Sequence, residues 1–251
     1  SATGDNVTTI EPTVQSQLET IISRINTKWS SDAVGGLIMD PKTGEIIAMA
    51  HVPTFDLNEY GKEKDVSVYS NPFSQNVYEM GSIIKPLVMA GAIDANILNP
   101  ETSYNDKGFV EVQDRTFYNF DKKGRGKATM QDVLSQSLNT GMVFVEQKMG
   151  KEIFKDYMLS KYKIGEKTGV DLPSEVNGLV SSLKTPNDVN YASASFGQGI
   201  ATSPLAVVRA YASLANGGYL VTPHLAKEIK QESGLTKVLE YPNGEAILKP
   251  E

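Results

Sequence analysis

The chain has 251 residues, of which 40% are hydrophobic and 22% charged, a composition typical of a globular protein with a sizeable core. Its formal net charge of -6 and the lack of a Lys/Arg cluster argue against a nucleic-acid partner. With no cysteine and only two widely separated histidines, the sequence predicts no disulfide, thiolate chemistry, metal site or cofactor, and no run is apolar enough to span a membrane.

The first part of the chain contains a helical pattern followed by a hairpin pattern. Apolar residues at helical spacing predict an amphipathic helix over residues 12–29. Its apolar face consists of Val14, Leu18, Ile21, Ile22, Ile25 and Trp29. Two largely apolar runs at 34–40 and 45–50 flank turn residues and predict a β-hairpin. Because both runs are continuously apolar, we expect the hairpin to be buried on both faces, with helices on either side.

Turn and cap residues divide the rest of the chain into short elements. Residues 52–76, rich in Pro, Asn and Asp, predict a long loop. Thr129, with Asp132 three residues later, is typical of a capping box at a helix N-terminus. The other predicted elements are an apolar helix over 81–95, weak strands within 100–127, helices over 129–136 and 140–149, a helix over 205–216 ended by Gly217-Gly218, short strands at 226–230 and 237–241, and a turn at 242–244.

Lys85 stands in an otherwise apolar run, Y-E-M-G-S-I-I-K-P-L-V-M-A-G. A buried ammonium is costly unless it is paired, and burial lowers the pKa of a lysine towards the value that a general base needs. Residues i and i+3 share a helix face, so we expect the Lys85 amine to reach the Ser82 hydroxyl. A neutral lysine could take the proton of Ser82, which would become a nucleophile without any histidine. The neighbours expected to desolvate Lys85 are Ile83, Ile84, Leu87 and Val88.

The Ser-x-x-Lys pattern is a weak signal by itself, because it recurs at 160–163 and 181–184, where neither lysine has an apolar shell. A second candidate element, Ser137-Leu138-Asn139, falls between two predicted helices. Ser137 could relay protons, and the Asn139 amide could bond both a peptide carbonyl and the lysine. The same pattern occurs at 74–76, and a helix-capping turn is the alternative role for the Ser137 segment.

These candidate residues belong to a larger pattern of five segments. Together the segments resemble the transpeptidase domain of penicillin-binding proteins and are most similar to the monofunctional class B enzymes of cell-wall synthesis. They are G-G-L-I-M-D-P-K-T-G-E-I-I-A-M-A-H-V-P-T-F-D-L-N (35–58), Y-E-M-G-S-I-I-K-P-L (78–87), S-Q-S-L-N-T-G-M (135–142), K-T-G-V-D-L-P-S-E (167–175) and F-G-Q-G-I-A-T-S-P-L-A-V-V-R-A-Y-A-S-L-A-N-G-G (196–218). They are distributed over residues 35–218, which is most of the chain, and follow the family's order, so the joint match is highly specific.

The resemblance implies an α+β fold, with an antiparallel sheet sandwiched between helical clusters as in serine β-lactamases and D,D-peptidases. It also implies that Ser82 is the acyl nucleophile, Lys85 its general base, and Ser137 with Asn139 the second motif. In this family the serine attacks the penultimate D-Ala of a peptidoglycan stem peptide, releases the last D-Ala, and passes the acyl group to an amine of a neighbouring stem. β-Lactams acylate the same serine. The implied location is the extracytoplasmic face of the bacterial membrane, with an anchor outside this chain.

The sequence also departs from the family. Met80 stands where proline is usual and Ile83-Ile84 replace Thr-Phe or Thr-Val, changes that affect packing and leave the chemistry possible. The third motif of the family, Lys-Thr/Ser-Gly, lies on a late strand after the helix that matches 203–216. Lys167-Thr168-Gly169 precedes that helix and matches a different segment of the family. We therefore expect the chain to end before the third motif and to lack the last strands of the sheet.

The expected domain organisation is a flexible N-terminus over residues 1–10 and one transpeptidase-like domain over 11–251. A sheet without its last strands would leave a bare edge over apolar surface. We expect a C-terminal fragment or a second chain to complete that sheet. The activity of the chain alone is then in question, because the missing strand would normally supply groups that hold the substrate carboxylate and the oxyanion.

Two other functions remain open at this point. A D,D-carboxypeptidase, a serine β-lactamase or a β-lactam sensor of the same superfamily would share the Ser-x-x-Lys helix. These proteins differ in how water or an amine reaches the acyl-enzyme, and the segments at 35–58 and 196–218 favour the transpeptidase. A non-catalytic scaffold for cell-wall partners would keep the fold, take up no covalent label, and be unaffected by Ser82→Ala.

Overall fold

The computed structural model describes residues 4–242 and 244–250 of the chain. The helices are α1 (Pro12–Trp29), α2 (Pro72–Gln75), α3 (Lys85–Asp94), α4 (Met130–Ser135), α5 (Asn139–Lys155), α6 (Asp188–Ala194) and α7 (Pro204–Ala215). The strands are β1 (Gly4–Thr8), β2 (Val34–Met39), β3 (Ile46–Val52), β4 (Ser103–Asp106), β5 (Phe109–Val112), β6 (Arg115–Tyr118), β7 (Gly126–Thr129), β8 (Tyr219–Leu220), β9 (Ala226–Gln231), β10 (Thr236–Val238) and β11 (Glu245–Ala246). About 39% of the chain is helical and 22% is strand, which confirms the α+β class.

The strands form small antiparallel sheets: β1 with β9 and β9 with β10, β2 with β3, β4 with β7, β5 with β6, and β8 with β11. Strand β1 lies in the segment expected to be a flexible N-terminus. Gly4–Thr8 instead pairs with β9, with Gly4 opposite Gln231 and Thr8 opposite Ala226. The first three residues lie outside the described part of the chain. The N-terminal segment is therefore joined to the C-terminal strands by backbone hydrogen bonds.

The main hydrophobic core surrounds α3 and α5. Leu87 and Val88 of α3 are 0% and 1% exposed, and Met142 and Val145 of α5 are both 0% exposed. The apolar helix predicted over 81–95 is confirmed, with a 3₁₀ turn at Gly81–Ile84 leading into α3. Because α3 is apolar on nearly every side, it can lie in the centre of the domain with other elements packed around it.

The break between α4 and α5 carries the second candidate motif, Ser137-Leu138-Asn139. The predicted capping box is confirmed: Thr129 Oγ1 accepts a hydrogen bond from Asp132 N, and Asp132 Oδ2 accepts one from Thr129 N. Helix α4 then ends at Ser135, and α5 begins at Asn139. The three residues in between are free to adopt a non-helical backbone beside α3. The backbone of Gly150 (φ 73°, ψ 157°) is not helical and divides α5 into two parts, so the first part ends at the predicted position and a second part continues to Lys155.

The hairpin and α1 are both confirmed as elements, but their burial is not as predicted. The Gln15 side chain of α1 hydrogen-bonds both the N–H and the C=O of Met49, so α1 covers the outer edge of β3. Of the expected apolar face of α1, Ile22 is buried, whereas Ile21, Ile25 and Trp29 are exposed. Ile38 of β2 is 43% exposed, so the prediction that the hairpin is buried on both faces is wrong for β2.

Strand β2 has a free outer edge among the described residues. Leu37 is paired with Met49, whose backbone groups bond to α1 and therefore point away from β2. Residues opposite each other in such a pair direct their backbone groups to opposite outer edges, so the N–H and C=O of Leu37 point away from β3. The edge lies in an uncharged run, Val34–Met39.

The remaining predictions are largely confirmed. Residues 52–76 form a loop with short helical turns at Tyr60–Lys62 and Val66–Tyr69 and the four-residue α2. Helix α7 is capped by Ser203, whose side chain accepts from Ala206 N, and two glycines follow it. The turn expected at 242–244 includes residue 243, which lies outside the described residues. Each helix in the described part of the chain is too short or too polar for a membrane span.

Candidate active site

Ser82 lies on the 3₁₀ turn that precedes α3, with its side chain exposed. The residue before it, Gly81, has a φ of +59°, and its N–H donates to the carbonyl of Gly197 at 3.1 Å. The residue after it, Ile83, accepts a hydrogen bond at its carbonyl from the Tyr211 hydroxyl. The backbone around Ser82 is therefore held on both sides by contacts from distant parts of the chain, while Ser82 itself is exposed.

Lys85 is buried beside this turn and is only 2% exposed. Its Nζ lies 2.7 Å from the Ser137 carbonyl oxygen, 2.9 Å from Ser137 Oγ and 2.7 Å from Asn139 Oδ1. Among the hydrogen bonds of the described residues, none joins Lys85 Nζ to Ser82 Oγ, which differs from the expected pairing. The difference has a simple reason, since three acceptors from the α4–α5 break already match the three donors of an ammonium.

The α4–α5 break holds these acceptors in an unusual backbone conformation. Ser137 has a φ of +54°, a left-handed conformation that is uncommon for a residue other than glycine. Asn139 is the first residue of α5, and its Nδ2 donates to the carbonyl of Tyr118 at 2.9 Å. Because the nitrogen of the Asn139 amide is used in that way, its oxygen faces Lys85. The structure thus brings Lys85, Ser137 and Asn139 into direct contact.

Burial determines the electrostatics of Lys85. Desolvation lowers the pKa of the lysine from 10.5 to about 8. Ile84, Leu87 and Val88 are buried as expected, but Ile83 is 48% exposed and does not shield the amine. A neutral amine would also fit this site. Two of its N–H groups can donate to the Ser137 backbone carbonyl and to Asn139 Oδ1, while the Ser137 hydroxyl donates to the nitrogen lone pair.

A cavity of about 460 Å³ opens in front of this cluster. Ser82, Ser137 and Asn139 all line it, so the hydroxyl of Ser82 and the second motif face one space. Its other walls include Phe120, which is fully exposed, and Arg125, whose guanidinium pairs with Asp121 at 3.0 Å. Neither Phe120 nor Arg125 was predicted as a site residue, because their sequence neighbours carry no catalytic pattern and only the fold brings their loop to Ser82.

The other Ser-x-x-Lys matches, at 160–163 and 181–184, and the other Ser-x-Asn match, at 74–76, have different surroundings. Lys163 forms an ion pair with Glu245 at 2.8 Å, and Lys184 is exposed. Ser74 is fully buried in α2, and Asn76 donates to the Tyr78 hydroxyl. None of these residues lines the cavity beside Ser82.

Lys167-Thr168-Gly169 is an irregular segment that packs against the buried carboxylate of Glu175. The backbone N–H of Thr168 donates to Glu175 Oε1 at 2.7 Å, and the N–H of Gly169 donates to Glu175 Oε2 at 3.0 Å. Thr168 is 5% exposed, and the three residues are not among those that line the Ser82 cavity. Hydrogen bonding within its own loop accounts for the threonine and glycine of this segment.

Comparisons with known proteins identify a family model and relatives that this chain resembles. A family model described as the penicillin binding protein transpeptidase domain matches residues 34–249. The chain is similar to stage V sporulation protein D of Bacillus subtilis, with 33% identity over 222 residues that cover 88% of this chain and 34% of the relative. It is also similar to the peptidoglycan D,D-transpeptidase MrdA of Salmonella typhimurium, with 30% identity over 232 residues, covering 83% of this chain and 36% of the relative.

The fold has close counterparts among solved structures. The chain is similar to penicillin-binding protein 3 of Mycobacterium tuberculosis complexed with aztreonam, with a TM-score of 0.91 and 26% identity, covering 98% of this chain and 55% of that one. The same protein complexed with ampicillin superposes equally well, with a TM-score of 0.91. The chain spans about a third of the length of the curated relatives that it matches.

Proposed function

The chain belongs to the penicillin-binding protein transpeptidase family, and from this premise we propose that it forms an acyl-enzyme on Ser82 with stem peptides that end in D-Ala-D-Ala. The acyl group then passes to an amine of a neighbouring stem, which cross-links the cell wall. The observation that carries this proposal is the buried Lys85 amine, which contacts Ser137 and Asn139 while both residues share a cavity with Ser82.

Each residue has a role in the proposed reaction. Ser82 Oγ attacks the carbonyl carbon of the penultimate D-Ala, and its proton passes to neutral Lys85, either directly or through the Ser137 hydroxyl that touches the amine. Breakage of the peptide bond returns a proton to the departing D-Ala nitrogen through Ser137. Asn139 holds the lysine through its amide oxygen. An amine then attacks the ester carbonyl and regenerates Ser82.

The same serine is the proposed target of β-lactams, which is supported by the relatives solved with aztreonam and ampicillin. Because the stem peptides lie outside the cell membrane, we propose an extracytoplasmic location. Incubation with a labelled penicillin, followed by peptide mapping, tests the function: we expect the adduct on the peptide that contains Ser82. The peptides with Ser160 and Ser181, the other Ser-x-x-Lys serines, serve as internal controls and should remain unlabelled.

The time course of the adduct distinguishes the alternatives. An acyl-enzyme that persists for long fits a transpeptidase, and one that hydrolyses quickly would favour the β-lactamase or carboxypeptidase alternative. A chain that takes up no label would favour the non-catalytic scaffold and contradict the proposal.

The pH dependence of the acylation rate should reflect the pKa of Lys85. Lys85 must be neutral to accept a proton, and its pKa is lowered to about 8 by burial. We therefore expect the acylation rate to rise with pH through about 8 and then level off, rather than rise up to the ordinary lysine pKa. Stopped-flow rates of penicillin acylation between neutral and alkaline pH measure this rise and the pH at which it levels off. A rate that falls over this interval would contradict a lysine base.

We also propose that the free edge of β2 accepts a strand from further polypeptide, either a C-terminal fragment or a second chain. The outward N–H and C=O of Leu37 and the exposed Ile38 support this proposal. Light scattering combined with amide hydrogen exchange tests it, and we expect the Leu37 amide to be protected only in an assembly larger than one chain. A monomer with a rapidly exchanging Leu37 amide and full penicillin acylation would contradict it.

A further inference from the structure

A buried carboxylate lies behind the candidate site. Asp106, at the end of β4, is 2% exposed, and hydrogen bonds from four parts of the chain satisfy its oxygens. Oδ1 accepts from Gly108 N and from Thr140 Oγ1, both at 2.8 Å, and Oδ2 accepts from Arg125 N at 3.0 Å. Asn119 Nδ2 donates to both oxygens, at 3.1 and 2.9 Å. A buried carboxylate needs such donors, and each donor is in turn held in place by it.

Asn119 and Thr140 connect this carboxylate to the start of α5. Both are 3% exposed, and Asn119 Oδ1 accepts from Thr140 N at 3.2 Å. The Thr140 hydroxyl donates to Asp106, so it can only accept from the Tyr104 hydroxyl, which lies 3.0 Å away. Burial raises the pKa of Tyr104 to about 12, so its hydroxyl remains a donor over the working pH range. Asp106, Asn119 and Thr140 are therefore buried and paired with one another, and the half-buried Tyr104 completes the network.

The same network holds both sides of the Asn139 amide. Thr140 follows Asn139 on α5, and Asn119 follows Tyr118, whose carbonyl accepts from Asn139 Nδ2. A shift of Asn119 would move the Tyr118 carbonyl, and a shift of Thr140 would move the backbone of Asn139. Either shift would change the orientation of the Asn139 side chain. The Asn139 oxygen contacts Lys85 Nζ at 2.7 Å, so the chain of contacts runs from Asp106 to the lysine without a gap.

We propose that Asp106 is a positioning residue for Lys85: by anchoring Asn119 and Thr140, it keeps the Asn139 amide oxygen against the lysine nitrogen and keeps water away from it. The consequence for catalysis rests on the acyl-enzyme function proposed above. The consequence for the lysine itself does not, because the titration of Lys85 can be followed without any reaction.

Asp106→Asn tests the proposal with little change in volume. One carboxylate oxygen becomes an NH₂ group, which would face the N–H of Arg125 or the amide of Asn119, donor against donor. We expect the α5 start to loosen, water to reach Lys85, and the pKa of the lysine to rise from about 8 towards its ordinary value. NMR titration of ¹³C-labelled lysine measures that shift. The acylation rate at neutral pH should fall on the order of 10²-fold, the size of loss that misplaced catalytic groups cause. The rise of the rate with pH should move to higher pH.

Glu175→Gln is the matched control. Glu175 is also a buried carboxylate that accepts backbone N–H donors, but it does so in a loop that does not line the cavity. We expect this variant to lose stability without a change in the Lys85 titration. If Asp106→Asn does not fold, Thr140→Val removes the hydroxyl that donates to Asp106 and should shift the titration in the same direction, and Thr140→Ser should restore it.

The outcomes separate the two proposals. A Lys85 titration that is the same in Asp106→Asn, Thr140→Val and Glu175→Gln as in the parent would overturn the positioning role. A titration that moves as expected, in a chain whose Ser82 takes up no penicillin, would support the positioning role and reject the acyl-enzyme function. A shift of the titration together with slower acylation of Ser82 would support both.

Discussion

Lys85→Met is expected to slow the acylation of Ser82 by about 10²- to 10⁴-fold, the range that a general base contributes. Methionine has a similar length and can fill the buried space of the lysine side chain, but it cannot accept a proton. The Ser137 carbonyl oxygen and Asn139 Oδ1 lose a donor, but the energetic cost of burying an amine disappears, so we expect the protein still to fold. The rate constant for acylation by a fluorescent penicillin measures the effect.

Three further variants provide reference rates of acylation for this experiment. Ser82→Ala removes the nucleophile and sets the background. Lys184→Met changes an exposed lysine of another Ser-x-x-Lys match and should keep the parent rate. Lys85→Arg retains the positive charge but stays protonated at every working pH, so it should be as slow as Lys85→Met. If either Lys85 variant were acylated at the rate of Lys184→Met, the lysine would not be the base.

Gly197→Ala is expected to have the second large effect. Gly197 has a φ of +80°, and a Cβ there would lie 2.1 Å from the carbonyl oxygen of Gly81. No side chain separates the two backbones, and the adjacent hydrogen bond from Gly81 N to Gly197 O fixes their spacing. An added methyl group must therefore displace the turn that carries Ser82. We expect acylation to fall by at least about 10²-fold, since small displacements of reacting groups have effects of this size.

Gly217→Ala separates the clash from the backbone conformation. Gly217 has nearly the same φ, +83°, but its Cβ would meet no heavy atom within 4 Å. Both variants should lower the free energy of unfolding by about 1 kcal/mol through the left-handed backbone, and only Gly197→Ala should also slow acylation. Denaturant unfolding and penicillin acylation of the same samples provide the comparison. Equal acylation rates in the two variants would show that the Gly81–Gly197 contact does not position Ser82.

Local features of the sequence were sufficient to predict most elements. The capping box of Thr129 and Asp132 marks the start of α4 because its two hydrogen bonds join residues only three apart. The apolar run around Lys85 predicts a central helix, since no face of it could be left in water. The burial of Lys85 followed from the same run. Each of these predictions depends on neighbours in sequence, and for that reason no knowledge of distant contacts was needed.

Predictions about partners across the fold were less complete. Spacing along a helix suggested Ser82 as the hydrogen-bond partner of Lys85, whereas the nitrogen contacts Ser137 and Asn139, which lie 52 and 54 residues away. Similarly, the periodicity of α1 identifies an apolar face, but Ile25 and Trp29 on that face are exposed. Periodicity shows which side chains point the same way, and only packing determines whether anything covers them.

Most of the helices and strands, the burial of one lysine, and the four residues proposed for the site could therefore be predicted without the fold. The tertiary structure alone decided how these residues meet: the left-handed backbone at Ser137, the orientation of the Asn139 amide, and the carboxylate of Asp106 behind both. The physical reason is that an element forms from local hydrogen bonds and apolar spacing, whereas the pairing of a buried polar group depends on which distant donor or acceptor the folded chain places within 3 Å of it.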